Sequence, residues 1–84
     1  CPNLLPMDDE RALLLYSPHD RVRYHVGTLD VDSCRFTPAS SGLFDHGGDY
    51  YATSGCRDAN GRWIVWGWIR GFPGGKGWNG CLSL

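Results

Sequence analysis

The sequence predicts an all-β chain, and three observations carry that prediction. Short runs of β-branched and aromatic residues recur along it, as in Tyr50-Tyr51-Ala52-Thr53 and the stretch from Trp63 to Ile69. Clusters of Asp, Asn, Gly, Ser and Pro punctuate these runs. Nowhere do apolar residues fall at the spacing of a helix face behind a capping box.

Taken in order, residues 2–7 form an extended lead-in, because Pro2 and Pro6 forbid a helix there. Asp8-Asp9-Glu10 is a charged turn. Residues 12–17 are a continuous apolar run ended by Pro18, the pattern of a buried strand. Val22, Tyr24 and Val26 alternate with Arg21, Arg23 and His25, which predicts a half-exposed strand of period two. A turn is expected at Asp30-Val31-Asp32-Ser33. A short strand over residues 34–37 follows, stopped by Pro38, and residues 39–42 read as a small-residue connector.

The stretch 44–69 organises the rest. Two strands are expected to pair across Asp58-Ala59-Asn60-Gly61, since Asn-Gly tolerates the positive φ values of a two-residue hairpin turn. Ahead of the hairpin sits Asp45, followed by His46, Gly47 and Gly48, where glycines let backbone pass close to another group. A carboxylate placed before an aromatic hairpin suits a polar ligand with flat apolar faces. Sugars fit that description. Gly67, between Trp66 and Trp68, thins the second strand and predicts a close packing approach. Residues 71–77 read as a loop carrying a solvated Lys76, and residues 78–84 start another strand.

With 84 residues, a formal net charge of −1 and 42% hydrophobic residues, the chain is one small domain or part of a larger one. The near-neutral balance speaks against nucleic acid as a partner, which demands a clustered basic face. The longest apolar run, residues 12–16, is too short to span a membrane, and no signal peptide is visible. The chain opens on Cys1 and closes inside a strand-like run, so a fragment is expected. Cys1, Cys34, Cys56 and Cys81 lack the close spacing of a zinc site, and no metal or other cofactor is expected. They read as small buried hydrophobes in a reduced protein, which leans toward the cytoplasm over secretion. Two disulfides in an independent secreted mini-domain are the alternative.

A weak internal repeat adds to this. Lead-in, acidic turn and apolar strand in residues 2–16 recur in residues 50–69, at an offset close to the ~40–50 residues of a propeller blade. On that reading residues 1–38 finish one blade and residues 44–84 begin the next, about one and a half blades of antiparallel strands. An ordinary β-sandwich shares the same strand spacing.

Four motifs then bear on function. Cys1-Pro2-Asn3-Leu4-Leu5-Pro6 is similar to the segment that follows the glutamate of a Glu-Cys-Pro motif. Residues 44–52, FDHGGDYYA, resemble an Asp-(Tyr/His)-Gly-x-(Asp)-Phe-Tyr-Ala stretch. Residues 61–68, GRWIVWGW, resemble a Gly-Arg-Arg-Ile-Leu-x-Gly-Trp strand, and residues 77–84 resemble a run leading to Ser-Leu-Pro-Arg. In this order they resemble glycoside hydrolase family 32, the β-fructofuranosidases, over nearly the whole chain. The resemblance implies a five-bladed β-propeller with a funnel-shaped active site. It also implies retaining hydrolysis of sucrose, fructo-oligosaccharides or related β-fructosides, with a small carbohydrate and the rest of the same propeller as partners. Such chemistry needs two carboxyl groups only ~5 Å apart.

The departures are as informative. The family's nucleophile motif, Asn-Asp-Pro-Asn, and its Arg-Asp-Pro motif are absent, and Arg57-Asp58 is followed by Ala59. The acid/base glutamate would stand immediately before Cys1. This chain alone is therefore expected to be inactive. By the resemblance, Asp45 contacts the sugar beside the scissile bond, although it could equally fix its own loop. Position 48, where some plant relatives carry a lysine, is glycine. Trp68 lines the funnel or fills the strand core, while Trp63 and Trp66 pack between blades. Cys1 and Pro2 support the missing acid by keeping its surroundings apolar, which raises its pKa. Tyr51 orients a carboxylate or is satisfied by backbone. A non-catalytic β-propeller module that binds sugars or proteins is the alternative from another class.

Overall fold

The computed structural model describes residues 1–71 and 80–84, and every regular element in them is a strand. They are β1 (Asn3–Pro6), β2 (Arg11–Tyr16), β3 (Arg23–Asp30), β4 (Arg35–Leu43), β5 (Tyr50–Arg57), β6 (Trp63–Ile69) and β7 (Cys81–Ser83). They form two antiparallel meanders, a four-stranded sheet in the order β1-β2-β3-β4 and a three-stranded sheet in the order β5-β6-β7.

Side-chain carboxylates build the turns of the first sheet. Asp8 accepts the amides of Glu10 and Arg11 at 3.1 and 2.7 Å and the Arg11 guanidinium at 2.7 Å. Asp30 does the same for the amides of Asp32 and Ser33 and for the Ser33 hydroxyl. These are the local Asx bonds that compete with regular structure and so end strands.

The first sheet corrects one sequence expectation. Pro38 does not stop the strand, and residues 39–42 are not a connector, because β4 continues to Leu43. Two features make this possible. β4 is the edge strand, so proline's missing amide leaves no neighbour unpaired. The register also shifts opposite Val26 and Gly27, where Gly27 faces Pro38 and Val26 faces Ser40, leaving Ala39 as the extra residue of a bulge. A Cβ on Gly27 would lie 2.2 Å from the Thr37 carbonyl oxygen, so only glycine admits this approach.

The β5–β6 hairpin forms where expected but with a different turn. Asp58 accepts the Gly61 amide at 3.0 Å, the Asp58 amide donates to Arg62 at 3.0 Å, and only Gly61 takes a positive φ, 77°. The loop thus has three residues rather than two, a type I turn closed by a left-handed glycine. Asp58 secures it by accepting the amides of Asn60 and Arg62 and the Arg62 guanidinium.

The core is small: Leu5, Ala12, Leu15, Val22, Tyr50 and Thr53. It forms where β5 lies against β1 and β2. Leu5 packs against Gly55, where a Cβ would come within 3.0 Å of the leucine methyl. The Pro6 carbonyl accepts from Arg57 Nη2 at 2.7 Å and from Trp63 Nε1 at 2.8 Å, with the guanidinium 5.0 Å from the indole centroid. Trp63 thus joins the two sheets, whereas Trp66 is 40% exposed.

The cysteines are free, but all four are exposed. The expectation of buried thiols is therefore corrected, as is the disulfide alternative. Cys34 occupies a turn with φ 53°, and Cys56 and Cys81 lie on exposed strand positions. The expected loop from residue 72 to 77, Lys76, and Trp78 at the start of the last strand lie outside the described residues.

Candidate functional site

Antiparallel pairing gathers one set of strand ends together. The starts of β1, β3, β5 and β7 and the ends of β2, β4 and β6 share one end of their sheets. There the chain carries Cys1 and Pro2, the β2–β3 loop at residues 17–22, the β4–β5 loop at residues 44–49, and Arg70 after β6. The Phe44 amide donates to the Val22 carbonyl at 2.9 Å, which brings the two loops side by side.

Asp45 sits half-buried in the second of these loops. Its Oδ2 accepts the Gly48 amide at 3.0 Å, with Gly48 at φ 93°. Among the described residues this is its only hydrogen bond, which leaves lone pairs to accept from a ligand. The carboxylate borders a recess of about 180 Å³ lined by Phe44, Tyr50, Val65 and Leu84. Phe44 and Tyr50 form its aromatic side, ring centroids 6.1 Å apart. The Tyr50 hydroxyl donates to the Val65 carbonyl at 3.2 Å. Burial, and then the Asp45 charge, raise its pKa above the ordinary 10.0.

Trp68 stands elsewhere. It pairs with Tyr51, whereas the recess residue Val65 pairs with Gly55, and positions three apart on a strand point to opposite faces. The structure therefore does not bring Asp45 and Trp68 onto one wall. The half-buried indole lies against Gly80, where a Cβ would fall 2.1 Å from Nε1.

The Tyr51 hydroxyl meets backbone, not a carboxylate. It donates to the Ser17 carbonyl at 2.9 Å and accepts the His19 amide at 2.8 Å. Beside it the Ala52 amide donates to the Ser17 hydroxyl at 3.1 Å. His19 and Ala52 are both left-handed, at φ 61° and 51°. Non-glycine residues rarely adopt this conformation unless their surroundings enforce it, and such strain gathers at functional sites. Cys1 and Pro2 are exposed, but the next residue, Asn3, donates from Nδ2 to the Thr53 carbonyl, where the β5–β6 register shifts between Tyr51 and Ser54.

Sequence reasoning missed Ser17, His19 and Arg70. The Arg70 guanidinium stacks 4.3 Å over the Tyr51 ring, and Nη2 donates to the Asp20 carbonyl. The signal that could have found it is the hairpin register, which sets residue 70 diagonally across from Tyr51. Asp20 is held below the ordinary carboxylate value by the Arg21 amide and then by Arg23, whose guanidinium is 2.7 Å away.

Two antiparallel meanders follow one another, with loops gathered at one end beside a carboxylate and aromatic rings. The chain matches the family model described as the glycosyl hydrolases family 32 N-terminal domain over residues 1–84. It belongs to that family. No solved structure matches it. The family's N-terminal domain is a β-propeller, and sheets of four and three strands are consistent with blades of one. Membership implies a glycosidase acting on a carbohydrate.

Proposed function

We propose that this chain is an internal part of a retaining β-fructofuranosidase, in a five-bladed propeller that hydrolyses sucrose or fructo-oligosaccharides. In this reading residues 3–43 are a blade, and residues 50–83 supply three strands of the next. The observation that carries it is the free carboxylate edge of Asp45 at an aromatic-sided recess, within a chain that matches family 32 from end to end. Asp45 accepts hydrogen bonds from sugar hydroxyls, and Phe44 and Tyr50 give the ring an apolar surface. Trp68 offers a second aromatic surface on the opposite face of β6. The reacting carboxylates come from outside these residues: the nucleophile from an Asn-Asp-Pro-Asn motif, and the acid/base from a glutamate before Cys1. Cys1 and Pro2 lie beside that acid. Double displacement needs the pair ~5 Å apart, with the acid's pKa raised to keep it protonated near neutrality.

Exposed Leu4, Leu43, Trp66 and Leu82 support the placement inside a larger domain, because blades bury such faces against neighbours. The test is hydrolysis of sucrose and inulin by the intact protein, beside a variant with the glutamate before Cys1 changed to glutamine. Loss of hydrolysis in a folded variant supports the reading. An inactive, folded wild type overturns it in favour of a non-catalytic sugar-binding propeller.

A further inference from the structure

We propose that Arg70 is a positioning residue that holds the Asp45 carboxylate in place by locking the β4–β5 loop against the β2–β3 loop. The proposal rests on the reading of Asp45 as a substrate contact.

Three segments meet at this one side chain. Its guanidinium lies 4.3 Å over the Tyr51 ring in β5. Its Nη2 donates to the Asp20 carbonyl in the β2–β3 loop and reaches the Gly48 carbonyl in the β4–β5 loop at 3.4 Å. Its backbone amide donates to the Asp49 carbonyl at 3.0 Å. Gly48 then relays the constraint, since its own amide holds Asp45 Oδ2 at 3.0 Å. A left-handed glycine at φ 93° has no side chain to fix it, so its orientation depends on bonds of this kind.

The residue type suits the task. A planar guanidinium can stack on an aromatic ring and reach two carbonyls in its plane, which an ammonium cannot do at once. Tyr51 is itself held from behind by Ser17 and His19, so the ring is a fixed platform. The neighbouring Arg21 cannot substitute. It approaches the open side of Gly48, with Nη2 3.6 Å from the position of an added Cβ, but has no hydrogen bond to that loop among the described residues.

Arg70→Gln and Arg70→Lys variants of the intact protein test this with two readouts. The first is hydrogen exchange at the Gly48 amide, with the β2 amides as reference. Exchange is expected to quicken about five- to tenfold in Arg70→Gln, the worth of roughly one hydrogen bond, and less in Arg70→Lys. The second is sucrose hydrolysis. KM is expected to rise by a similar factor with kcat little changed, because the lost constraint acts on a binding group. Arg70→Lys, which keeps the charge, guards against loss of folding in Arg70→Gln. Unchanged exchange at Gly48 relative to β2 overturns the proposal, as does a fall in kcat at unaltered KM. A wild type without hydrolysis overturns the fructosidase reading instead, and the exchange result still decides the role of Arg70.

Discussion

The Tyr50 ring occupies the space over Gly67 where any other residue would carry its Cβ. An added Cβ would fall 2.2 Å from two ring carbons. Tyr50 is only 8% exposed, and its hydroxyl is tied to the Val65 carbonyl, so the ring cannot swing away. The glycine between two tryptophans is thus the counterpart of a tyrosine one strand away. Gly67→Ala is expected to destabilise the intact protein by about 1–3 kcal/mol, the usual range for overpacking. Denaturant unfolding measures it. In a Tyr50→Leu background the same change should cost clearly less, since the two positions share one volume. Additive effects would refute the pairing.

The same tyrosine reports on Asp45. Its phenol is pushed above 10.0 first by burial and then by the Asp45 charge. A neutral phenol favoured by the fold contributes stability below pH 10, and that contribution is lost as pH rises through the raised value. Asp45→Asn removes the second cause, so Tyr50 should ionise at lower pH than in the wild type. An ultraviolet phenolate titration, with Tyr50→Phe to assign the signal, follows this. An unmoved titration would mean that the carboxylate does not face the recess.

Much of the fold was legible in the sequence because its signals are local. Prolines, acidic turns and the Asp58–Gly61 segment mark strand ends through backbone chemistry that needs no partner. What misled was proline at position 38. Its effect depends on lying in an edge strand opposite a glycine, and neither fact is local. The site divides along the same line. Asp45 stood out as a carboxylate beside glycines and aromatics. The left-handed His19 and Ala52 left no trace, since neither residue type demands a positive φ. Arg70 matters only through register and through two loops folded onto one edge. By the resemblance Trp68 lines the funnel or fills the strand core, and strand alternation sets it on the face of β6 opposite Val65 and the Asp45 recess.

Tyr51→Phe should loosen the β2–β3 loop. The hydroxyl serves the Ser17 carbonyl and the His19 amide together, and phenylalanine leaves both without that partner. A cost of about 1 kcal/mol is expected, as for a hydroxyl removed from one part-buried carbonyl and one exposed amide. Amide exchange at His19 should quicken while exchange within β3 stays as in the wild type. Equal acceleration at both would point to global unfolding rather than a local tie.

Asp58 predicts a pH signature at the far end of the hairpin. Its carboxyl is held below the ordinary 3.8 by the Arg62 amide, then by the Arg62 guanidinium, with the Asn60 amide adding to them. A depressed value means that the contribution is fully present above pH 3.8 and is lost as pH falls through the lowered value. Asp58→Asn should therefore flatten the acid limb of the stability curve while leaving its shape near neutrality unchanged. Thermal melts across the acid range in both proteins decide this, and parallel acid limbs would argue against the carboxylate's role in the turn.

Gly27→Ala tests the bulge that lets β4 pass proline. The added methyl would lie 2.2 Å from the Thr37 oxygen and 2.8 Å from the Pro38 Cα, both backbone atoms of the paired strand. Unlike a side chain, these cannot rotate aside, so β4 must shift or detach. The loss is expected at the upper end of the overpacking range, about 3 kcal/mol. It should be accompanied by faster exchange of amides paired between β3 and β4, with β1–β2 amides unaffected. Because the Val22 carbonyl, just before β3, holds the Phe44 amide just beyond β4, a shifted β4 also displaces the loop carrying Asp45. On the proposed fructosidase reading, sucrose hydrolysis at limiting substrate should then fall further than the lost stability alone explains. Wild-type exchange between β3 and β4 in Gly27→Ala would show that the strand accommodates the methyl and that the bulge is not what admits Pro38.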